Sequence, residues 1–311
     1  MASLSYLFCV LVSLLNPINC YGHSNPEAEH KALFVFGDSL FDPGNNQYLN
    51  ASEEGGGTSW PYGETFFKHP TGRLSDGRLV PDFIAQFAKL PILPAYLQPT
   101  AHRLTDGANF ASAGGGVLVE THPGTISLPT QLSNFKGAVK SLRQKLGDVE
   151  AKKVLMRAVY LFSIGGNDYF NLYSQNPHAT QSYRTQYVGI VIGNLTNVLK
   201  EIYSLGGRKI AFQNAGPLGC LPAMKARNPQ LGSFKNGKAA CCGSGAYRGM
   251  NCGGGRNRTE PYELCSNPSE YVWFDGGHTT ERANRQLANL IWSGAPSVTG
   301  PYTVKQLFAH A

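Results

Sequence analysis

Short apolar runs that end in glycine alternate along this chain with longer stretches whose apolar residues recur every three or four positions. Residues 32–36 (ALFVF) form such a run, closed by Gly37. An unbroken apolar run of that length predicts a strand buried on both faces. Val80, Phe83, Ile84, Phe87 and Ala88 follow at helical spacing, with Pro81 near the start and Pro91 just beyond, which predicts a helix. Residues 108–111 (ANFA) predict a second strand, followed by Gly114, Gly115 and Gly116. Helices are predicted from Gln131 to Leu146 and from Glu150 to Arg157, and residues 159–164 (VYLFSI) predict a third strand ending at Gly165 and Gly166. Val188, Val191, Ile192, Leu195, Val198, Leu199 and Ile202 mark the apolar face of a long amphipathic helix that Gly206 and Gly207 terminate. Residues 209–213 (KIAFQ) predict a fourth strand. The last helix carries Ala283, Leu287, Leu290 and Ile291 on one face, with Thr279 or Thr280 as its cap and Gly294 as its stop. Strands and helices in alternation predict an α/β fold: a parallel sheet covered on both faces, with ligands at the carboxyl ends of the strands.

Residues 217–271 break this rhythm. They are rich in Gly, Asn, Arg and Cys and show neither a helical period nor a convincing strand. The sheet is therefore expected to lack an edge strand here, since a further helix-and-strand unit needs about 30 residues with apolar periodicity.

Composition narrows the class. In 311 residues, 42% are hydrophobic and only 15% charged, which permits a sizeable core and excludes disordered, collagen-like and coiled-coil chains. The net charge of +7 is scattered, with no run of five basic residues, so nucleic-acid binding is not expected. That excess suits weak attraction to anionic surfaces, for example cell-wall polymers. Residues 6–15 form an apolar stretch too short to span a bilayer, followed by small and polar residues. Residues 1–22 thus read as a secretory signal peptide, although its first residues lack Lys and Arg, and residues 23–311 as one domain. Seven cysteines are present. Cys9 and Cys20 fall in that leader, and Cys220, Cys241, Cys242, Cys252 and Cys265 remain for pairing in an oxidising compartment, one of them left over. No Cys-x-x-Cys or matching His pair occurs, so no zinc site is expected. Sequons at Asn50, Asn194 and Asn257 fit a glycosylated secreted protein.

Three loops after predicted strands carry candidate chemistry. Ser39, behind Gly37, can present a hydroxyl at the end of the first strand, and needs a base to become a nucleophile. Asn167, behind Gly165 and Gly166, can donate its amide to an oxyanion. Asp275 and His278 are spaced so that the carboxylate reaches the near imidazole nitrogen and leaves the far one facing a nucleophile. Taken singly, each reads as a turn or capping residue; together, after strand ends, they point to nucleophilic catalysis. There is no G-x-S-x-G elbow, G-x-G-x-x-G loop or Walker A sequence. Trp60, Phe66 and Phe67 can line an acyl pocket but read first as core.

Six blocks resemble one family. Residues 34–46 (FVFGDSLFDPGNN), 60–67 (WPYGETFF), 71–78 (TGRLSDGR), 107–114 (GANFASAG), 164–169 (IGGNDY) and 275–278 (DGGH) look like those of plant GDSL-type esterase/lipases of the SGNH hydrolase superfamily, in family order along nearly the whole chain. The resemblance implies a three-layer α/β/α, flavodoxin-like parallel sheet. It implies Ser39 as nucleophile, Asp275 and His278 as its acid/base pair, and the backbone N–H groups of Ser39 and Gly114 with the Asn167 amide as oxyanion donors. It calls for no metal or organic cofactor, and for a lipid or other small ester as substrate. The chain departs from the family in two places. Thr279 stands where Pro usually follows the histidine. Between Gln230 and Lys238 the family carries several tens more residues, including a long helix, the last strand and a Cys that would partner Cys220. This absence would leave Cys220 unpaired, with two bridges among the other four, and would uncover one sheet edge. A secreted ester hydrolase is the leading expectation. An acyltransferase using the same acyl-enzyme, and an inactive or non-catalytic binding variant, are its rivals.

Overall fold

The computed structural model describes residues 31–49, 57–99, 103–216, 218–227 and 239–310. The leader read over residues 1–22, the sequon at Asn50 and the position of the expected gap lie outside them. Four parallel strands form the central sheet: β1 (Leu33–Gly37), β2 (Gly107–Asn109), β3 (Val159–Ser163) and β4 (Lys209–Phe212), in the order β2-β1-β3-β4. The two central strands pair in register from Leu33 opposite Val159 to Gly37 opposite Ser163.

Side chains alternate between the two faces of the sheet, so each strand feeds two cores. Phe34, Phe36, Tyr160 and Phe162 point to one face. There they meet Phe135 and Leu128 of α2 (Leu128–Leu146) and Val191, Leu195 and Ile202 of α5 (Gln181–Ser204). Leu33, Val35, Val159 and Leu161 point to the other face. They pack on Phe83 and Ile84 of α1 (Val80–Phe87), Ala288 of α7 (Glu281–Ser293) and Phe308 of α8 (Val304–Ala309). The result is the three-layer α/β/α arrangement expected. The first core holds stacked and edge-on aromatic pairs, among them Phe36 on Phe162 with centroids 4.8 Å apart.

Boundaries differ from the sequence reading where caps and prolines decide them. Helix α2 begins at Leu128 rather than Gln131, because Pro129 fits a first turn whose amides have no helical acceptor. The following helix, α3 (Asp148–Arg157), starts directly after Gly147, two residues earlier than predicted. The loop read over residues 164–169 instead opens a helix, α4 (Gly166–Gln175), so Asn167 stands in a first turn. Trp60 and Phe66 are not core: they are 53% and 41% exposed. Phe66 lies under the Arg78 guanidinium at 3.9 Å from its ring centre, and the cation holds the ring at the surface.

Residues 217–271 contain α6 (Pro222–Arg227) and a two-residue antiparallel pair, β5 (Cys242–Gly243) with β6 (Glu263–Leu264). Here disulfides stand in for periodic packing. Cys241 bonds Cys265 and Cys242 bonds Cys252, around a small core with Tyr62, Leu74 and Phe274. Cys220 is a free thiol. Among the described residues, strand β4 forms one edge of the sheet, opposite β2, and its Phe212 is exposed.

Candidate active site

Gly37 ends β1 where the chain passes so close to β3 that a Cβ atom would lie 2.6 Å from the Ser163 carbonyl oxygen. Only glycine fits this approach, and it delivers Asp38 and Ser39 to the carboxyl edge of the sheet. The turn is held from both sides. The Asp38 N–H donates to the Ser163 carbonyl at 3.1 Å. Gln131 of α2 accepts from the Gly37 N–H at 2.9 Å and donates to the Gly37 carbonyl at 2.8 Å.

His278 reaches this edge from the loop before α7. Its Nε2 lies 2.9 Å from Ser39 Oγ, and its Nδ1 lies 2.7 and 2.9 Å from the two Asp275 carboxylate oxygens. The Asp275 carboxylate is a hub: Oδ1 also accepts the Gly277 and His278 N–H groups at 2.9 Å, and Oδ2 accepts the Tyr62 hydroxyl at 2.8 Å. Burial alone would raise this carboxyl's pKa. The His278 charge and hydrogen bond, the Gly277 amide and Tyr62 outweigh burial and hold it below the usual carboxylate value. For His278, burial favours the neutral ring, but the Asp275 charge and hydrogen bond, with Asp38 adding, raise its pKa above the ordinary 6.5. Since Nδ1 is committed to Asp275, the neutral ring offers Nε2 as the base toward Ser39.

Asn167 shares a cavity with Ser39 and His278. Its side-chain amide donates to the Gly115 carbonyl at 3.0 Å, which fixes the amide plane and leaves a second N–H to offer. Gly114 is half-buried in the left-handed region, at φ 76°. It does not itself line the cavity, but it adjoins the residue that Asn167 holds. Among the described residues, neither the Ser39 nor the Gly114 backbone N–H is donated to a protein acceptor. The helix α4 brings Asp168 behind Asn167. The buried Asp168 carboxylate accepts the Val117 and Leu118 N–H groups at 2.9 and 3.0 Å and the Thr121 hydroxyl, tying the loop after Gly116 to α4.

Several site-shaping residues carry no assigned role in the sequence reading. Asp42 accepts the Gly44 and Asn45 N–H groups on one oxygen and the Ala113 N–H on the other, at 2.6 to 2.8 Å. Asn46 donates to the Ala113 carbonyl at 2.9 Å. Both sides of Ala113, just before Gly114, are thus pinned by the stretch after Ser39. Burial pushes Asp38 and Asp42 up to about 6, against opposing amide hydrogen bonds. Tyr62 was equally silent, although the 60–67 block contains it; its contact with Asp275 spans 213 positions, beyond any local pattern. Trp60, Phe66 and Phe67 do not line the cavity. Among the described residues, no group of three or more His, Cys, Asp or Glu side chains is placed to hold a metal ion.

The comparisons with known proteins agree with this architecture. A family model described as GDSL-like lipase/acylhydrolase matches residues 33–291. The chain belongs to that family. It is 43% identical to GDSL esterase/lipase 1 of Arabidopsis thaliana, covering 99% of this chain and 98% of the relative. It is 42% identical to GDSL esterase/lipase 2 of the same plant, over 96% of this chain and 95% of that one. A GDSL lipase of Tanacetum cinerariifolium is also 42% identical, over 89% of this chain and 87% of its own length. The first of these alignments runs over 366 positions against 311 residues here, a difference of 55, so that relative has at least 55 positions without a counterpart in this chain.

Proposed function

We propose that this member of the family is a secreted serine hydrolase of carboxylic esters, acting through an acyl-enzyme on Ser39. The observation that carries the reading is the hydrogen-bonded series Ser39–His278–Asp275, opening on a cavity that also presents the Asn167 amide. In this mechanism Ser39 Oγ attacks the ester carbonyl as His278 Nε2 takes its proton. Asp275 stays ionised and holds the imidazolium. The oxyanion accepts from the Ser39 and Gly114 N–H groups and the second Asn167 N–H, donors whose individual loss costs about 10²–10³ in rate in comparable sites. His278 returns the proton to the leaving alkoxide. It then deprotonates a water that attacks the acyl-enzyme, releasing the acid and regenerating Ser39.

The name esterase/lipase borne by the relatives supports the same chemistry. Two disulfides support an oxidising destination, and no helix among the described residues is long and apolar enough to cross a membrane. Asn194 and Asn257 are exposed, as acceptors of glycans must be.

A fluorophosphonate probe, which reacts with activated serines, tests the proposal. Secreted wild-type protein is expected to be labelled, and Ser39→Ala to be unlabelled and inactive on simple esters. Folded wild type that resists the probe would overturn it.

A further inference from the structure

The cavity at Ser39, about 990 Å³ in volume, reaches as far as Gln213, the residue after β4. The Gln213 N–H donates to the Phe162 carbonyl at 2.8 Å, so the ladder with β3 runs one residue past the strand. Side chains alternate along an extended chain, so Gln213 faces the same side as Ala211, toward α7 and α8. His278 comes from the loop that leads into α7. Asn167 comes from α4, whose Tyr169 packs into the core on the opposite face. Gln213 is half-buried, and its side-chain carbonyl oxygen is covered and has no hydrogen-bond partner. The other amides and hydroxyls of the lining differ from it. Asn284 is bonded to Ser75, Arg78 and Thr279, and the Thr299 hydroxyl donates to the Leu290 carbonyl. Asn214, Gln286 and Tyr302 are exposed to water.

We propose that Gln213 selects the alcohol part of the substrate: its amide carbonyl accepts a hydrogen bond from a second hydroxyl, so the preferred esters are those of diols and polyols rather than simple alkanols. The inference rests on the ester-hydrolase reading above and adds a specificity-determining residue to it. A covered carbonyl without a donor is costly, and a substrate hydroxyl relieves that cost. The last torsion of a glutamine is broad, so the amide can turn into the cavity without strain. The side of the sheet assigns the hydroxyl to the alcohol. His278 Nε2 hands its proton to the leaving oxygen, and Gln213 lies on the α7 side with it, away from the Asn167 amide. Asp38 and His278 are the lining residues that carry charge, and both belong to the Ser39 end, so a neutral donor suits Gln213 better than an ammonium group. Strands β1 and β4 are two spacings apart, about 10 Å. Bonding contact at Ser39 and a hydrogen bond at Gln213 take up part of that span, which leaves about three or four carbons between the ester oxygen and the second hydroxyl.

The test compares two esters of one acid and nearly one shape, 4-hydroxybutyl butyrate and pentyl butyrate, turned over by the full chain. Wild type should favour the hydroxylated ester by about tenfold in kcat/KM. Gln213→Met keeps the length of the side chain and removes the amide, and should bring that ratio to about one or below. A wild-type ratio of one overturns the proposal, as does an unchanged ratio in the folded variant. The hydroxyl is then moved into the acid, in butyl 5-hydroxypentanoate against butyl hexanoate. No preference is expected there, and a preference on the acid alone overturns the assignment to the alcohol. Should Gln213→Met fail to fold, acyl transfer by wild type decides. An acyl-enzyme formed from 4-nitrophenyl butyrate is offered 1,4-butanediol or 1-pentanol in place of water. The alcohol oxygen attacks the carbonyl, His278 takes its proton, and the proton passes to Ser39 Oγ as the acyl bond to it breaks. Capture by the diol should exceed capture by pentanol several-fold, and equal capture overturns the proposal. Turnover and fluorophosphonate labelling with a ratio of one remove the role of Gln213 and keep the hydrolase reading. Folded protein that is neither labelled nor active on any of these esters overturns both.

Discussion

Tyr62 donates its hydroxyl to the same carboxylate that holds His278, and this places a neutral phenol behind the proposed base. The hydrogen bond stabilises the Asp275 anion, and burial with the nearby Asp275 charge keeps the phenol protonated well above its ordinary value. Tyr62→Phe removes only the hydroxyl. Asp275 then becomes more basic and a stronger partner for His278, whose pKa rises further. Because the neutral ring is the base, the acid limb of kcat/KM, already expected above 6.5, should move to higher pH in Tyr62→Phe. Loss of a hydrogen bond to a buried charge should also cost about 1.5–3 kcal/mol of stability. A pH–rate profile superimposable on wild type would remove Tyr62 from the site's electrostatics. This residue shows the limit of reading chemistry from sequence. Ser39 announces itself by residue type after a strand end, and Asp275 and His278 by their three-residue spacing before the last long helix. Tyr62 does not, because its role depends on the irregular segment around residue 60 folding against the loop before α7.

Elements were readable in proportion to how far packing repeats along them. The strands β1 and β3 are buried on both faces and so appear as unbroken apolar runs, while α5 and α7 show their inner faces at helical spacing. Helix α4 buries only Asp168, a polar residue, so it leaves no apolar stripe to read. Helix α8 spans six residues, too few for a period. The segment after β4 draws its order from two disulfides whose pairing no spacing could dictate. At this scale α2 does more than cover a sheet face. Gln131, fully buried, satisfies both backbone groups of Gly37 and donates to the Ile126 carbonyl at 2.9 Å. Gln131→Leu keeps the volume and strands the Gly37 N–H and the Ile126 carbonyl, at about 1–3 kcal/mol each before relaxation, while the Gly37 carbonyl keeps the Ser112 N–H at 3.1 Å. We expect urea unfolding to show a loss of roughly 2 kcal/mol or more, and ester turnover to fall with it because Gly37 sets the path to Ser39. A loss below about 1 kcal/mol would mean that water or a backbone shift replaces the clamp.

Across the whole molecule, the buried titratable groups set activity and stability on opposite sides of neutrality. Asp38 and Asp42 titrate near 6 in the folded protein against 3.8 for an ordinary carboxyl. Their folded values are raised, so the native state holds extra protons between about pH 4 and 6, and stability falls as pH climbs through that window. Each shift corresponds to roughly 3 kcal/mol at neutral pH as an upper bound. His278 adds the same sign. Its folded pKa is raised, so its stabilisation is complete below 6.5 and is lost as pH rises through the folded value. Asp275 works the other way, its contribution present above 3.8 and lost as pH falls through its lowered folded value, which closes the acid end. Overall charge repulsion opposes the trend, since the net charge of +7 grows as pH falls. Those charges are scattered, however, and screened beyond about 8 Å at physiological salt, so the buried carboxyls should win. The melting temperature should therefore be higher at pH 5 than at pH 8, while kcat/KM should rise with pH as His278 loses its proton above 6.5. Scanning fluorimetry and initial rates across that range test both halves. Asp38→Asn should flatten the stability curve, because it removes one of the titrating groups. A melting temperature that rises steadily from pH 5 to pH 8 would mean that Asp38 and Asp42 ionise as ordinary carboxyls, and that the amides around them, rather than burial, govern their charge.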